Sequence, residues 1–521
     1  MWGSAWQPRA CDLRRGWTAP RGCATQGVLP TPATGPPSVS AWACRLLAAV
    51  TLALAALPAA AQGRFVPGPC IGEVPPGELA TCGWVELPER RGEPARRVHR
   101  LPVMVLRSRA LPPAPDPVLY LEGGPGLSPF GPADGVDERM EAWWSSTAAF
   151  RRTRDVILYE PRGAVRADPA ADCPELDRLA AGPPLHPRRR DTLEAGAVAA
   201  CADRLRRTGP DPAGLSTPTA AEDALAVADA LGAGVVNLYA LSYGTHVGLE
   251  VIRRGGPRVR SAVLDGVFPP DVNAREEQAA LAHRAFRRLF EDCAANRRCR
   301  AAFPDLETRV AERLRRLERA PAKLLSGPLG AAMAVDAVLS AMADGEPVPE
   351  LPELLDAMAR GRYDRLLPWL RPSWTGDPDA AEGLALSVEC RETVNAADPA
   401  RVAAGLARWA PFVPADDPGP RLCAGWPAGD RDPAERLPVA SPVPVLLLSG
   451  AYDPVTPPEW GERAASTLPR GRHVVFRSAG HGVTLLDACA AGMAVRFIER
   501  PDPAALVPCP AAARPPAFLT R

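Results

Sequence analysis

The chain has 521 residues, 46% of them hydrophobic, with 61 basic and 60 acidic side chains and a formal net charge of +1. A chain of this length holds two or three domains, or one large domain carrying an insertion. The balanced charge supplies no field to gather nucleic acid or an anionic membrane surface, so neither is an expected partner. Lys323 is the only lysine, and the 62 prolines and long alanine runs read as coding bias rather than function.

The first element in chain order is an apolar run, Leu46 to Leu57, that follows Arg45 and ends in Pro58 and Ala59-Ala60-Ala61. It is short for a membrane span and has the flanks of a signal peptide, with cleavage expected before Gln62. The reading is export, to a secreted or periplasmic location, with no stable membrane insertion after cleavage. The stretch before it is long for such a leader, and initiation nearer Val39 would account for that. Cys11, Cys23 and Cys44 precede the cleavage point. Ten cysteines follow, at 70, 82, 173, 201, 293, 299, 390, 423, 489 and 509, and fall into five sequence-local pairs. An even count suits disulfides in an exported chain, although spacing alone does not fix connectivity. There is no C-x-x-C pair and only 6 histidines, so neither a metal nor a cofactor is expected.

Beyond the leader, apolar runs bounded by turn residues alternate with helical patterns, which predicts a mostly parallel sheet covered by helices. Core strands are expected at Val118–Leu121, Val156–Tyr159, Val235–Tyr239, Ala262–Leu264, Val443–Leu448 and Val474–Phe476. Runs near Trp84–Leu87 and Leu101–Leu106 suit an antiparallel start to the sheet. Thr219 and Glu222 have capping-box spacing and predict a helix through Leu225, Ala228 and Leu231 that stops at Gly232. From Leu264 to Val443 the strand rhythm gives way to helices at Glu276–Ala294, Leu306–Arg319, Ala331–Ala343, Leu351–Ala359 and Ala380–Asn395. The expected domains are a leader (1–61), a core (62–270), a helical cap (271–440) and the rest of the core (441–521). The charged run Arg309–Arg319 reads as a solvated helix face.

Three segments carry chemistry. Val235 to Gly244 is a strand feeding a small-x-Ser-x-Gly turn at Ala240-Leu241-Ser242-Tyr243-Gly244, with a helix expected from Thr245 to Arg254. This strand–turn–helix context lifts a serine hydroxyl above a sheet. Upstream, Glu122-Gly123-Gly124-Pro125-Gly126 follows a strand, and its glycines let backbone N–H groups face a developing oxyanion. Gly124, with the N–H of Tyr243, is the expected oxyanion hole. Downstream, Asp453 follows a buried-type strand, and Ser478-Ala479-Gly480-His481-Gly482 follows another. The order Ser242, Asp453, His481 is that of a hydrolase triad, in which the imidazole takes the serine proton and the acid fixes its tautomer. Asp265, after Ala262-Val263-Leu264, is the rival acid. For His99, His186, His246, His283 and His473, packing or solvent is the expected role.

Together with Tyr159-Glu160-Pro161-Arg162-Gly163 and Val263-Leu264-Asp265-Gly266-Val267, these segments resemble the proline iminopeptidase/tripeptidyl aminopeptidase family of serine peptidases. The resemblance runs from about Cys70 to Cys509 and implies the α/β-hydrolase fold with a helical cap. Asp172–Leu176, Cys293 with Cys299, and Cys423 with Trp426 are similar to its secreted tripeptidyl branch. Departures are Glu122, where the family often has His or Pro, and Glu160-Pro161, where it usually has Asp or Gln before Arg-Gly. The resemblance implies an aminopeptidase acting on peptides with a free N-terminus. Glu392 is then the first candidate for the substrate ammonium, with Glu389 second and Glu122 a further substrate contact. Trp143 and Trp144 suit either the pocket or the core. The competing readings are a carboxylesterase on the same triad and a non-catalytic binding protein on the same fold.

Overall fold

The computed structural model describes residues 63–520, apart from 92–96, 133–134, 181–186, 325–326, 371–379 and 414–418. The expected leader and its cleavage point, as well as His186, lie outside these residues. Strands β1 (Arg64–Pro67), β2 (Ala80–Pro88), β3 (Val98–Leu106), β4 (Val118–Leu121), β5 (Val156–Tyr159), β6 (Val236–Leu241) and β7 (Val259–Asp265) come first. A hairpin of β8 (Ala322–Leu324) and β9 (Gly327–Leu329) stands apart, and β10 (Val445–Gly450) and β11 (Gly471–Phe476) complete the sheet.

The nine sheet strands run in the order β1-β2-β3-β5-β4-β6-β7-β10-β11. β1, β2 and β3 pair antiparallel, β3 meets β5 antiparallel, and the six strands from β5 to β11 are parallel. Every residue of β4, β5 and β10 is buried, because helices cover both faces. That double coverage is why their sequences are unbroken apolar runs rather than alternating ones. Strand order reverses at β4, so the loops after β4 and β6 open side by side at the carboxyl edge, where open α/β sheets place their ligands.

Between β7 and β10 the chain forms helices Ala274–Ala295, Leu306–Arg319, Ala331–Asp344, Leu351–Ala359, Glu382–Glu389, Pro399–Trp409 and Gly419–Cys423. A π-helical turn, Cys390–Val394, continues from Glu389. These helices bury their own apolar cluster, with Phe286, Leu289, Val310, Leu314, Val335, Val338 and Leu355 in it. In Leu306–Arg319 the buried side chains are Leu306, Val310, Ala311, Leu314 and Leu317, so most of its arginines face outward, as expected.

The five cysteine pairs are Cys70–Cys82, Cys173–Cys201, Cys293–Cys299, Cys390–Cys423 and Cys489–Cys509, each a sequence-local pair. No helix among the described residues is long and apolar enough to cross a membrane. Two local readings change. The helix expected to open at Thr219 runs from Thr217 to Ala230, with Ser216 as the residue whose side chain accepts from Thr219 N. Pro218 suits the first turn, where its missing N–H costs nothing, and it moves the start back by half a turn or so. The helix expected over Ala380–Asn395 begins at Glu382 and widens into the π turn at Cys390.

Candidate active site

β6 ends at Leu241, and the chain turns sharply at Ser242, whose φ of 55° lies in a region that residues other than glycine seldom occupy. The turn is held by one backbone and one side-chain bond: Ser242 N donates to Asp265 O (2.9 Å), and the Thr245 hydroxyl Oγ1 donates to Ser242 O (2.6 Å). Helix Tyr243–Gly255 starts immediately. A Cβ at Gly244 would lie 2.2 Å from Leu121 O, so only glycine lets this helix pass over the end of β4. The first N–H groups of a helix have no partner within it and carry its positive end, so Tyr243 N–H is placed at an anion-favouring point.

Asp453 lies in the loop after β10, fully buried. Its Oδ1 accepts Val455 N (2.8 Å) and Thr456 N (2.9 Å), and its Oδ2 accepts Thr456 Oγ1 (2.7 Å). The same Oδ2 is 2.7 Å from His481 Nδ1, in the loop after β11. Thr456 Oγ1 is also 3.0 Å from that nitrogen, so the hydroxyl bridges acid and imidazole. With Nδ1 facing the carboxylate, Nε2 is the nitrogen left to act as base. Burial opposes charge on both groups, but their mutual attraction and hydrogen bond outweigh it. Asp453 is therefore held below its ordinary pKa and His481 above. Thr456 escaped the sequence reading, although an acid followed three residues later by threonine has the spacing of a local side-chain-to-backbone cap.

Asp265, the rival acid, is also fully buried but engages a different group. It accepts Val483 N (3.0 Å), Thr484 N (2.7 Å) and Thr484 Oγ1 (2.6 Å), and so secures the chain just after His481. Burial dominates at Asp265 and pushes its pKa up, opposite to Asp453. The two acids are thus separated by both partner and charge preference.

Ser242, Gly124, Tyr243 and Thr456 line one cavity of about 620 Å³. Its walls include the apolar Phe268, Val272, Leu281, Leu339 and Trp460, and the polar Asp336, Glu389, Glu392, Arg275 and Arg431. Glu392 is buried: Oε1 accepts Thr217 N (2.8 Å), and Oε2 accepts Thr217 Oγ1 (2.7 Å). Thr217 Oγ1 in turn lies 2.9 Å from Tyr243 OH. Burial pushes Glu392 up in pKa against these bonds and the nearby Arg431 and Arg391. Glu122 turns back onto its own loop rather than lining this cavity, accepting Gly123 N (2.7 Å) and Tyr120 OH (3.1 Å).

The remaining candidates separate cleanly. Trp143 and Trp144 are buried outside the cavity, Trp143 donating to Pro129 O (2.7 Å) and Trp144 lying under Arg151. Arg162 of the Glu160-Pro161-Arg162-Gly163 segment pairs with buried Asp223 (2.5 Å) and braces helix Thr217–Ala230. His246 does line the cavity, where burial first, then Arg431, pushes it down to about 3 and keeps it neutral. The set of a strained serine at a helix start, a carboxylate-bound imidazole and a pocket beside them is suited to acyl transfer.

Residues 116–326 match the model of the alpha/beta hydrolase fold, and residues 415–506 match that of the TAP-like proteins. Serine protease Hip1 of Mycobacterium tuberculosis is 26% identical over 402 residues, 70% of this chain and 75% of that protein. Tripeptidyl aminopeptidase of Streptomyces lividans is 25% identical over 433 residues, 78% of this chain and 79% of that protein. A shorter match, to putative non-heme bromoperoxidase BpoC of Mycobacterium tuberculosis, is 32% identical over 199 residues, 36% of this chain and 66% of that one.

Proposed function

The chain is an α/β-hydrolase with a TAP-like C-terminal part, and on that premise we propose that it is an exported serine aminopeptidase acting on short peptides with a free N-terminus. The observation that carries this reading is the Asp453–His481 pair at 2.7 Å, on the loops after β10 and β11, which follow β7 in the sheet, with Ser242 opening on a cavity that Glu389 and Glu392 also line. In this reading Ser242 Oγ attacks the scissile carbonyl while His481 Nε2 takes its proton. The N–H groups of Tyr243 and Gly124 hold the oxyanion. The proton passes to the leaving amine, and water releases the acyl group by the reverse sequence. Asp453 holds the imidazole tautomer and offsets the charge it acquires.

The substrate ammonium is assigned to the acidic wall, Glu392 first and Glu389 second. A charge-assisted contact there is worth about 1.5–3 kcal/mol. Glu392→Gln then lowers kcat/KM for free-amine peptidyl arylamides by about ten- to a hundredfold and leaves a small neutral ester nearly unaffected. A substrate panel varying peptide length and N-terminal acetylation tests the whole reading. Loss of turnover on acetylation supports it, whereas wild-type indifference to acetylation marks the protein as a carboxylesterase. Export is supported by the five disulfides and the apolar run before Gln62; N-terminal sequencing of the mature protein, with a start far from Gln62, is the result against it.

A further inference from the structure

Helix Ala274–Ala295 presents Arg284, Arg288 and Asp292, spaced four apart and so on one face, to the loop that carries Asp453. Arg284 Nη1 donates to Ala451 O (3.0 Å), and Nη2 donates to the backbone oxygen of Asp453 itself. Between these two carbonyls, Tyr452 is fully buried and its hydroxyl donates to Asp292 Oδ2 (2.6 Å). Arg288 grips the same carboxylate from the next turn, at 2.7 and 3.0 Å. Three consecutive residues, 451 to 453, are thus held from the helical segment between β7 and β10.

The chemistry of Arg284 makes this more than surface pairing. Its guanidinium is largely covered, and the carboxylate paired with it, Glu459, lies at 3.5 Å from Nε. Its two terminal nitrogens are spent on backbone carbonyls of the acid loop. A carboxylate held on one side only by its own short loop can still tilt; a fork bound to the carbonyls behind it removes that freedom.

We propose that Arg284 is a positioning residue for Asp453, fixing from the helical segment the angle at which the carboxylate meets His481. The proposal rests on the reading of Asp453 as the triad acid. A misplacement of the order of 1 Å at a reacting group costs about a hundredfold in rate, which sets the scale of the effect.

The test is the rate at which a fluorophosphonate probe labels the full-length protein, because it reads the reactivity of Ser242 without a peptide preference. Arg284→Met should label about ten- to a hundredfold more slowly at saturating probe, with the half-saturating concentration unchanged. Arg284→Lys, whose ammonium can reach one of the two carbonyls, should recover part of that rate. Wild-type labelling by Arg284→Met, or slowing that comes only from weaker probe binding, overturns the proposal. If Arg284→Met does not fold, Tyr452→Phe decides: it keeps the ring and loses one hydroxyl contact, so slower labelling supports the clamp and an unchanged rate overturns it. Undiminished labelling of Ser242→Ala, which would have to fall on another residue, would instead overturn the triad reading, a separate failure.

Discussion

The nucleophile side and the base side of the site are built by different means. Ser242 is held by neighbours in the sheet: the turn after β6, Asp265 O, and Gly244 seated against the end of β4. Asp453 and His481 also lean on the helical segment. Arg284 holds the acid loop, and His481 N donates to Ala343 O (2.8 Å) at the end of helix Ala331–Asp344. Gly480 is pressed so close to that helix that a Cβ would meet Met342 O at 2.2 Å. The serine turn is a property of the sheet, and the base is a joint product of sheet and insertion. Damage to the insertion should therefore spare the nucleophile turn and disarm the base.

The largest effect expected on either side is that of Ser242→Ala, a loss of roughly 10⁶ in kcat with an unchanged circular dichroism spectrum. Appreciable turnover in that variant would remove the basis for the comparison. Asp453→Asn should cost about 10⁴ in kcat, through the wrong imidazole tautomer. Asp265→Asn should cost about ten- to a hundredfold, because it loosens the chain after His481 without touching the ring. If the ranking of the two acids inverts in steady-state assays, the roles assigned to them exchange.

The pH profile sharpens the same contrast. The free base is needed, and Asp453 raises the pKa of His481, so kcat/KM should fall as pH drops through a value above 6.5. With the carboxylate charge gone in Asp453→Asn, burial is left to dominate and the limb should move to lower pH. A limb that stays in place would mean that a different group titrates.

The smallest effect concerns stability away from both loops. Glu78 pairs with the fully buried Arg151 (2.5 Å), and that hydrogen bond chiefly lowers its pKa from 4.5 to about 2. A depressed carboxylate stabilises the fold fully above the unfolded value and loses that contribution as pH falls toward 2. Glu78→Gln should cost about 1.5–3 kcal/mol near neutrality, and urea denaturation should show the difference from wild type shrinking below pH 4.5. Labelling rates should not change; if they do, this ion pair beside the sheet is coupled to the site after all.

The sequence was most legible where the determinants are local. The turn at Ala240–Gly244 reads directly because strand, small residues and helix lie within a few positions, and β4 and β5 match their expected bounds because both are buried on two faces. Helices Leu306–Arg319 and Leu351–Ala359 follow from periodicity in the same way. β1 was not anticipated: four residues bounded by prolines and glycines give too short a pattern, and pairing with β2 decides it. Ser216 rather than Thr219 caps its helix because the proline between them favours the earlier start. The sequence ranks Asp453 ahead of Asp265 as the acid, but what Asp265 does instead was beyond reading, since its partners Val483 and Thr484 lie 218 and 219 positions away. For Arg284 the relevant partner is a main-chain oxygen 169 positions away, which no side-chain pattern records.

The hydrogen bond from His481 N to Ala343 O also sets an order in time. The turn at Ser242 can form once β4, β6 and β7 are laid side by side, but the histidine loop gains its last anchor when a helix far upstream has docked. Contacts between distant parts of a chain form late, because the intervening loop must first be closed. During refolding, then, hydrolytic competence should trail the recovery of sheet and helix signals. Simultaneous recovery of fluorophosphonate labelling and far-ultraviolet signal would count against this. A chain that has not yet seated its insertion has a serine ready and no base to arm it, and so is harmless to its neighbours while it folds.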